Sequence, residues 1–161
     1  MFNQYLEQYG NRIYALCLKL QGGRKEEADD LYQETWLNAY RGFSSYRRDE
    51  AFLAWVTKIC VNAYRDMLRK QKRHAAHRYT GGQEPQAVLE SIPAKSEDEA
   101  HLAVRDAVEK LPETLKICIT LYYFFGSSVE ETAATLRIPQ GTVKSRLSRA
   151  RTLLKEELEQ E

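Results

Sequence analysis

Apolar residues recur every three or four positions over most of the chain, which places them on one face of a helix. The first such segment is predicted over residues 2–20 and ends at the Gly22–Gly23 pair. Its apolar positions are Phe2, Tyr5, Leu6, Tyr9, Ile13, Leu16 and Leu20. The same spacing predicts a second helix over residues 26–43 and a long third helix over residues 51–72. Residues 1–73 are therefore predicted to form one small helical domain.

A second small helical domain is predicted over residues 98–161. Apolar positions indicate a helix over residues 102–111, and the sequence Leu-Pro-Glu then restarts a helix at Pro112. Residues 74–97 contain two Gly and two Pro and have no sustained apolar period, so they are predicted to be a flexible linker. The predicted fold class is all-α, with two domains joined by this linker.

The second domain is predicted to contain a helix-turn-helix. Ser128 and Glu131 have the spacing of a capping box, which predicts that a helix starts there. After a short turn, Pro139 fits the first position of a last helix. The first of these helices contributes the apolar residues Ala133, Ala134, Leu136 and Ile138, and the last contributes Val143, Leu147, Ala150 and Leu154. Two helices joined in this way are typical of DNA-binding proteins.

The outer face of the last helix has the chemistry of a DNA-reading surface. Its polar residues are Gly141, Lys144, Ser145, Ser148 and Arg149, with Arg146 and Arg151 on the flanks. Lys and Arg bind guanine edges or phosphates in the major groove, and short Ser side chains allow close approach. Thr142 and the helix N-terminus are candidates for holding a phosphate. The alternative is a solvated surface helix, but the capped helix and short turn before it favour DNA binding.

Two further surfaces have a distinct charge. The second helix carries an acid-rich stripe formed by Asp30, Gln33, Glu34, Leu37 and Arg41. An exposed Leu among carboxylates suits the basic helix of a protein partner, although a plain solvated face is an equal alternative. The third helix carries a basic stripe formed by Lys58, Asn62, Arg65, Arg69 and Lys72. Its cations attract phosphates, and Asn62 offers a donor and an acceptor to one base edge.

Aromatic residues near the start of the third helix are candidates for stacking on an unpaired base. They are Tyr46, Phe52 and Trp55. The alternative for Phe52 and Trp55 is the hydrophobic core, which their positions in the apolar pattern favour. Tyr46 lies in a predicted turn, where both assignments stay open.

Composition excludes several classes of protein. No apolar run reaches the roughly 20 residues of a membrane span, and no secretory signal is evident, so we expect a cytoplasmic protein without direct membrane insertion. The three cysteines, Cys17, Cys60 and Cys118, lie in apolar helical patterns and are predicted to be core thiols. His74 and His77 have no partner at ligand spacing, so no metal or cofactor is expected. No phosphate loop or catalytic set is recognisable, so the chain is not expected to be an enzyme.

Acidic and basic residues are unevenly distributed along the chain, although the net charge is only +1. Residues 44–80 contain nine Lys or Arg and three Asp or Glu, whereas residues 81–109 contain two and seven. A basic block therefore precedes an acidic connector.

The motifs together resemble those of a known family. The resemblance rests on DDLYQETWLNAY, then on the spaced Phe52, Trp55, Ile59, Asn62, Asp66 and Arg69, and then on TVKSRLSRAR. In this order they resemble the extracytoplasmic-function (ECF) class of bacterial RNA polymerase sigma factors. The match covers most of residues 1–73 and 98–157. It implies sigma region 2 over residues 1–73 and sigma region 4 over residues 98–161.

The resemblance also implies roles for the three surfaces. The stripe of Asp30, Gln33, Glu34 and Leu37 matches the contact with the β′ clamp helices of core polymerase. The third helix and the loop at its end match the segment that opens the promoter −10 element, with Asn62 as the reader of a flipped base. The −10 candidates are Tyr46, Trp55, Lys58, Asn62, Arg65 and Arg69. The −35 candidates are Thr142, Lys144, Ser145, Arg146, Ser148 and Arg149.

One departure and one alternative accompany the resemblance. Val61 stands where many members have Arg, which removes a possible phosphate contact. Members of the class are often held by a cognate anti-sigma factor, which is therefore an expected partner. The alternative function is a helix-turn-helix transcriptional regulator that is not a polymerase subunit, with residues 1–73 as its dimer or ligand domain.

Overall fold

The computed structural model describes residues 1–77 and 96–160, with side chains described for residues 1–75 and 99–160. Most of the predicted linker therefore lies outside the described residues. Within these two ranges the chain forms helices and turns and no strand, so the predicted all-α fold class is confirmed.

Three long helices form the amino-terminal part. They are α1 (Phe2–Leu20), α2 (Lys25–Gly42) and α3 (Phe52–His77), with a short 3₁₀ turn at Phe43–Ser45 after α2. The α1 bounds are those predicted, but α3 continues five residues beyond the predicted end at Lys72. Residues 73–77 include the good helix formers Arg and Ala, and no Gly or Pro interrupts the chain there, which explains the extension.

The core between these helices is aliphatic at one end and aromatic at the other. Leu16 of α1, Leu31 of α2 and Val56 of α3 are buried together. At the aromatic end, the rings of Tyr5 and Phe52 stack with centroids 4.1 Å apart. The predicted core thiols are confirmed, since the described cysteines are buried and unbridged.

Four helices form the carboxyl-terminal part. They are α4 (Ser96–Glu109), α5 (Glu113–Ile119), α6 (Val129–Leu136) and α7 (Gln140–Glu159), with a π-helical segment at Thr120–Phe124 after α5. The predicted capping box is present at the start of α6. The Glu131 amide donates to the Ser128 hydroxyl at 3.0 Å, and the Ser128 amide donates to the Glu131 carboxylate at 2.9 Å.

The turn of the helix-turn-helix differs from the prediction in detail. Arg137 ends α6 in the left-handed conformation, with φ of 57°, which an L-residue adopts at some cost. Pro139 is the residue before α7 rather than its first helical residue. Ala134 is exposed and not in the core as expected. Val143, Leu147 and Ala150 are buried as predicted, so α7 presents its polar face outward.

The two helical parts pack against each other, with α3 against α6 and α1 against the π-helical segment. Val61 and Tyr64 of α3 are buried in this arrangement, as is the charged Lys116 of α5. The second domain therefore covers one side of α3.

Candidate functional site

The acid-rich stripe of α2 is exposed along its length. Asp30, Gln33 and Glu34 are exposed, and Leu37 keeps 49% of its surface in water. The opposite side of α2 is held in the core by Ala28, Leu31, Thr35, Trp36 and Ala39. Since the core fixes that side, the polar side must face outward, as the periodicity predicted.

A cleft of about 490 Å³ separates this stripe from α3. Its second wall is formed by charged residues of α3, namely Asp66, Arg69, Lys70 and Arg73. Arg69, a candidate for the −10 element, thus lies beside the α2 stripe and pairs with Asp66 at 3.3 Å. One wall of the cleft is acidic and the other is largely basic. The cleft therefore suits a partner helix that carries charges of both signs.

The basic stripe of α3 is not uniform. Asn62 is exposed. Lys58 is half-buried, and its ammonium group pairs with the Glu50 carboxylate at 2.8 Å. Arg65 is half-buried; burial lowers its pKa, and the nearby guanidinium groups of Arg146 and Arg69 lower it further. Asn62 is therefore the most accessible of these three predicted base or phosphate contacts.

Aromatic side chains form a cluster before and at the start of α3. Phe52 is buried against Tyr5 and belongs to the core, which was the alternative for this residue. Tyr46 and Trp55 are half-buried with ring centroids 5.0 Å apart. Each keeps part of its surface in water, unlike the ring of Phe52.

The outer face of α7 is arranged as predicted. Lys144, Ser145, Ser148 and Arg149 are exposed, and Thr142 and Arg146 are half-buried. Gly141 has open space around its Cα, so the first turn is slim without being packed against a neighbour. A second cleft, of about 400 Å³, lies between α7 and the start of α5 and is lined by Ser145, Arg146 and Arg149.

Two residues in the contact between the domains were not identified from the sequence. Lys116 is 1% exposed, which is rare for a charged residue without partners. Its ammonium group lies 3.0 Å from the Glu109 carboxylate and 3.2 Å from the Tyr64 hydroxyl. The sequence gives only a weak signal for this contact. That signal consists of apolar residues of α3 that lie outside the side of the helix that faces the core of the first domain.

Two family models match the chain. The Sigma-70 region 2 model matches residues 5–74, and the Sigma-70, region 4 model matches residues 101–154. A relative from Mycobacterium tuberculosis, the ECF RNA polymerase sigma factor SigM, is 33% identical over 157 residues, which cover 95% of this chain and 74% of the relative. The ECF RNA polymerase sigma-E factor of Haemophilus influenzae is 30% identical over 167 residues, covering 98% and 87%.

Solved structures agree with these matches. The sigma factor RpoE of Bartonella quintana, in complex with the anti-sigma factor NepR, matches with a TM-score of 0.78 at 27% identity, over 98% of this chain and 96% of RpoE. CnrH, in complex with the cytosolic domain of CnrY, supports the fold with a TM-score of 0.72 at 22% identity, over 99% and 88%.

The chain therefore belongs to the ECF group of sigma-70 family RNA polymerase sigma factors. Sigma factors bind core polymerase and promoter DNA, which are therefore the partners of this chain. Sigma factors are transcription initiation factors that are not enzymes. The alternative of a regulator that is not a polymerase subunit is not favoured, because both sigma regions are matched. None of the described helices is long and apolar enough to cross a membrane.

Proposed function

We propose that three surfaces of this sigma factor carry out different steps of transcription initiation. Residues 1–73 bind core polymerase and the −10 element, residues 98–161 bind the −35 element, and residues 74–97 connect them. The protein acts in the cytoplasm, where it meets the bacterial polymerase. The observation that carries the proposal is that three helices, α2, α3 and α7, each turn a face of different chemistry outward.

The α2 stripe is assigned to core polymerase. Asp30, Gln33 and Glu34 supply two carboxylates and an amide, and Leu37 supplies an exposed apolar contact at the same surface. Exposed carboxylates around an apolar centre are suited to a partner helix with basic residues, because charge steers the encounter and apolar burial holds the complex.

The exposed side of α3 and the rings before it are assigned to the −10 element. Lys58, Arg65 and Arg69 attract phosphates without regard to sequence. Asn62 has both a donor and an acceptor and is exposed among these cations. A base that leaves the duplex loses a few kcal/mol of stacking and pairing, which contact with Tyr46 and Trp55 offsets in part.

The outer face of α7 is assigned to the −35 element. Lys144 and Arg149 project from the exposed side, and Ser145 and Ser148 keep that side narrow enough for the major groove. Thr142 and Arg146 are half-buried at its edge, and we assign them to phosphate contacts.

Separate assays of each step test this division. Binding to core polymerase, binding of the holoenzyme to a −35 duplex and melting of the −10 element are measured for one variant of each surface. Each variant is expected to lose its own step most strongly. Equal losses at all steps from every variant would contradict the division.

A further inference from the structure

The turn between α2 and α3 is closed by hydrogen bonds among its own residues. The Tyr46 hydroxyl donates to the Glu50 carbonyl oxygen at 2.5 Å. The Glu50 amide donates to the Arg47 carbonyl oxygen at 3.0 Å, and the Tyr46 amide donates to the Phe43 carbonyl oxygen at 3.1 Å. These bonds give the turn at residues 46–51 a defined shape, but none of them joins it to α3.

An ion pair joins this turn to α3. The Lys58 ammonium group donates to the Glu50 carboxylate at 2.8 Å, and each of the two side chains keeps 32% of its surface in water. Lys58 lies eight positions after Glu50, in the second turn of α3. Because partial burial strengthens the attraction between two charges, this pair is a stronger tie than a fully exposed one. Glu50 is thus held by the turn at its carbonyl group and by α3 at its carboxylate.

A second contact from the turn reaches the same side of α3. The ring centroids of Tyr46 and Trp55 lie 5.0 Å apart. At about 100° per residue, Trp55, Lys58 and Asn62 lie within about 60° of one another around the helix. Asn62, which is assigned to a flipped base, is therefore on the side of α3 against which the turn is fixed.

The position of the turn affects the space beside Asn62. An enzyme or factor that accepts a flipped base discriminates between bases by the shape of the pocket and by stacking, as well as by hydrogen bonds. The turn forms the surface next to α3 at the start of this side of the helix. A shift of the turn would change the shape of that space while the amide of Asn62 stays in place.

The charge of Glu50 has the opposite effect on general DNA binding. A carboxylate 2.8 Å from the Lys58 ammonium group offsets part of the charge that Lys58 presents to phosphates. If the pair mattered only through charge, loss of Glu50 would strengthen binding to every DNA sequence equally. A loss of selectivity from the same change would therefore report geometry and not charge.

We propose that Glu50 is a positioning residue for −10 recognition. Through Lys58 it fixes the turn at residues 46–51 against α3, and the turn then determines which base is accepted beside Asn62. This inference rests on the −10 role proposed above and adds to it. Lys58 acts on the turn as well as on phosphates, and Glu50 acts through the turn and not by contact with the base.

Binding of single-stranded −10 oligonucleotides to the holoenzyme, measured by fluorescence anisotropy, tests this role. The oligonucleotides are the sequence that the parent protein ranks highest and versions of it changed at one base. Glu50→Gln keeps the size of the side chain and removes its charge. It is expected to reduce the preference for the highest-ranked sequence by about three- to fivefold, the factor that corresponds to loss of one partly exposed ion pair. Binding to an unrelated oligonucleotide should be equal or stronger.

Exchange of the two charges separates positioning from general attraction of DNA. Lys58→Glu alone places two carboxylates together and should also reduce the preference. Glu50→Lys with Lys58→Glu restores an ion pair of reversed polarity, so the preference is expected to recover. Glu7→Gln, the same chemical change at an exposed position of α1, is the matched control and should keep the parent preference. Circular dichroism checks that each variant keeps its helix content.

The outcomes distinguish this inference from the −10 assignment itself. A parent holoenzyme that binds all these oligonucleotides equally would reject the −10 assignment, and the positioning role with it. If the parent discriminates and Glu50→Gln discriminates equally well, only the positioning role is overturned. A preference that stays low in the exchanged pair would also overturn it, because the position of the turn would then not depend on the ion pair.

Discussion

Tyr64 of α3 donates a hydrogen bond of 2.8 Å to Glu113 at the start of α5. This bond joins the helix that carries Asn62 to the domain that carries α7. Lys116 and Glu109 lie against the same pair, so the hydroxyl belongs to a network with one cation and two carboxylates.

Tyr64→Phe is expected to destabilise the folded chain by about 1.5 to 3 kcal/mol, because the hydroxyl is bonded to charged groups. Urea unfolding of the full-length protein measures this loss. Tyr14→Phe is the matched control, since Tyr14 donates to Asp29 at 2.7 Å within the first domain at a more exposed position. A loss no greater at Tyr64 than at Tyr14 would argue against the importance of the network.

The same bond predicts a dependence on alkaline pH. Burial raises the pKa of Tyr64 above its usual value of 10.0, and the nearby charge of Glu113 raises it further. A pKa that is raised in the folded chain means that folding favours the neutral phenol. The contribution of Tyr64 to the free energy of unfolding is therefore complete below pH 10 and is lost as the pH rises above 10. Tyr64→Phe should reduce the alkaline loss of stability measured by urea unfolding.

Charge reversal at the α2 stripe should uncouple the protein from polymerase. Asp30→Lys with Glu34→Lys leaves the buried side of α2 unchanged, so folding should survive while affinity for core polymerase falls by about 2 to 5 kcal/mol. Titration of labelled protein with core enzyme measures the change. Glu7→Lys with Glu156→Lys makes the same change in net charge at other exposed sites. An equal effect from this control would assign the loss to overall charge.

Lys144→Ala and Arg149→Ala should weaken binding to the −35 element in distinguishable ways. Loss of a residue that contacts a base should cost about 1 to 3 kcal/mol of binding free energy and relax the sequence preference at one position. Loss of a phosphate contact should weaken binding to all sequences and lower the salt dependence of binding. Holoenzyme binding to a duplex library separates the two. Lys155→Ala, an exposed change near the end of α7, is the control. If both variants bind like this control, α7 is not the reader.

Asn62→Ala should impair promoter melting more than binding to polymerase. Its amide is assigned to a base outside the stack, so the loss should be greatest on an optimal −10 sequence and least on a pre-melted bubble with a changed base. Permanganate reactivity of the −10 thymines measures melting. Asn11→Ala removes an exposed amide from α1 and should have no effect. A variant that melts and ranks all −10 sequences as the parent does would reject the assignment.

Periodicity predicted the helices well because each domain buries one side of each helix. The buried Val143, Leu147 and Ala150 fix the orientation of α7, and the Ser128–Glu131 capping box fixes the start of α6. Both signals are local, so they can be recognised in a short segment. The assignments of the exposed residues to DNA and polymerase stay predictions.

The contact between the domains was not predictable in the same way. Tyr64 and Lys116 are 52 positions apart, and the local pairing of Lys116 with Glu113 does not reveal the contact with Tyr64. Val61 was interpreted only as a missing phosphate contact, yet it is buried by the second domain. Such burial depends on a distant surface, which periodicity within one helix does not encode. The left-handed Arg137 was also missed, since Gly is the usual residue at such a position.

Run-off transcription with purified core polymerase tests whether this chain directs initiation as a sigma factor that binds polymerase through α2. Genomic fragments are transcribed with core enzyme alone, with the parent protein, and with the Asp30→Lys, Glu34→Lys double variant. This role predicts discrete promoter-dependent transcripts that require the parent protein and are lost with the double variant, while the Glu7→Lys, Glu156→Lys control retains them. Transcripts that are equally abundant without the protein, or that persist with the double variant, would contradict it.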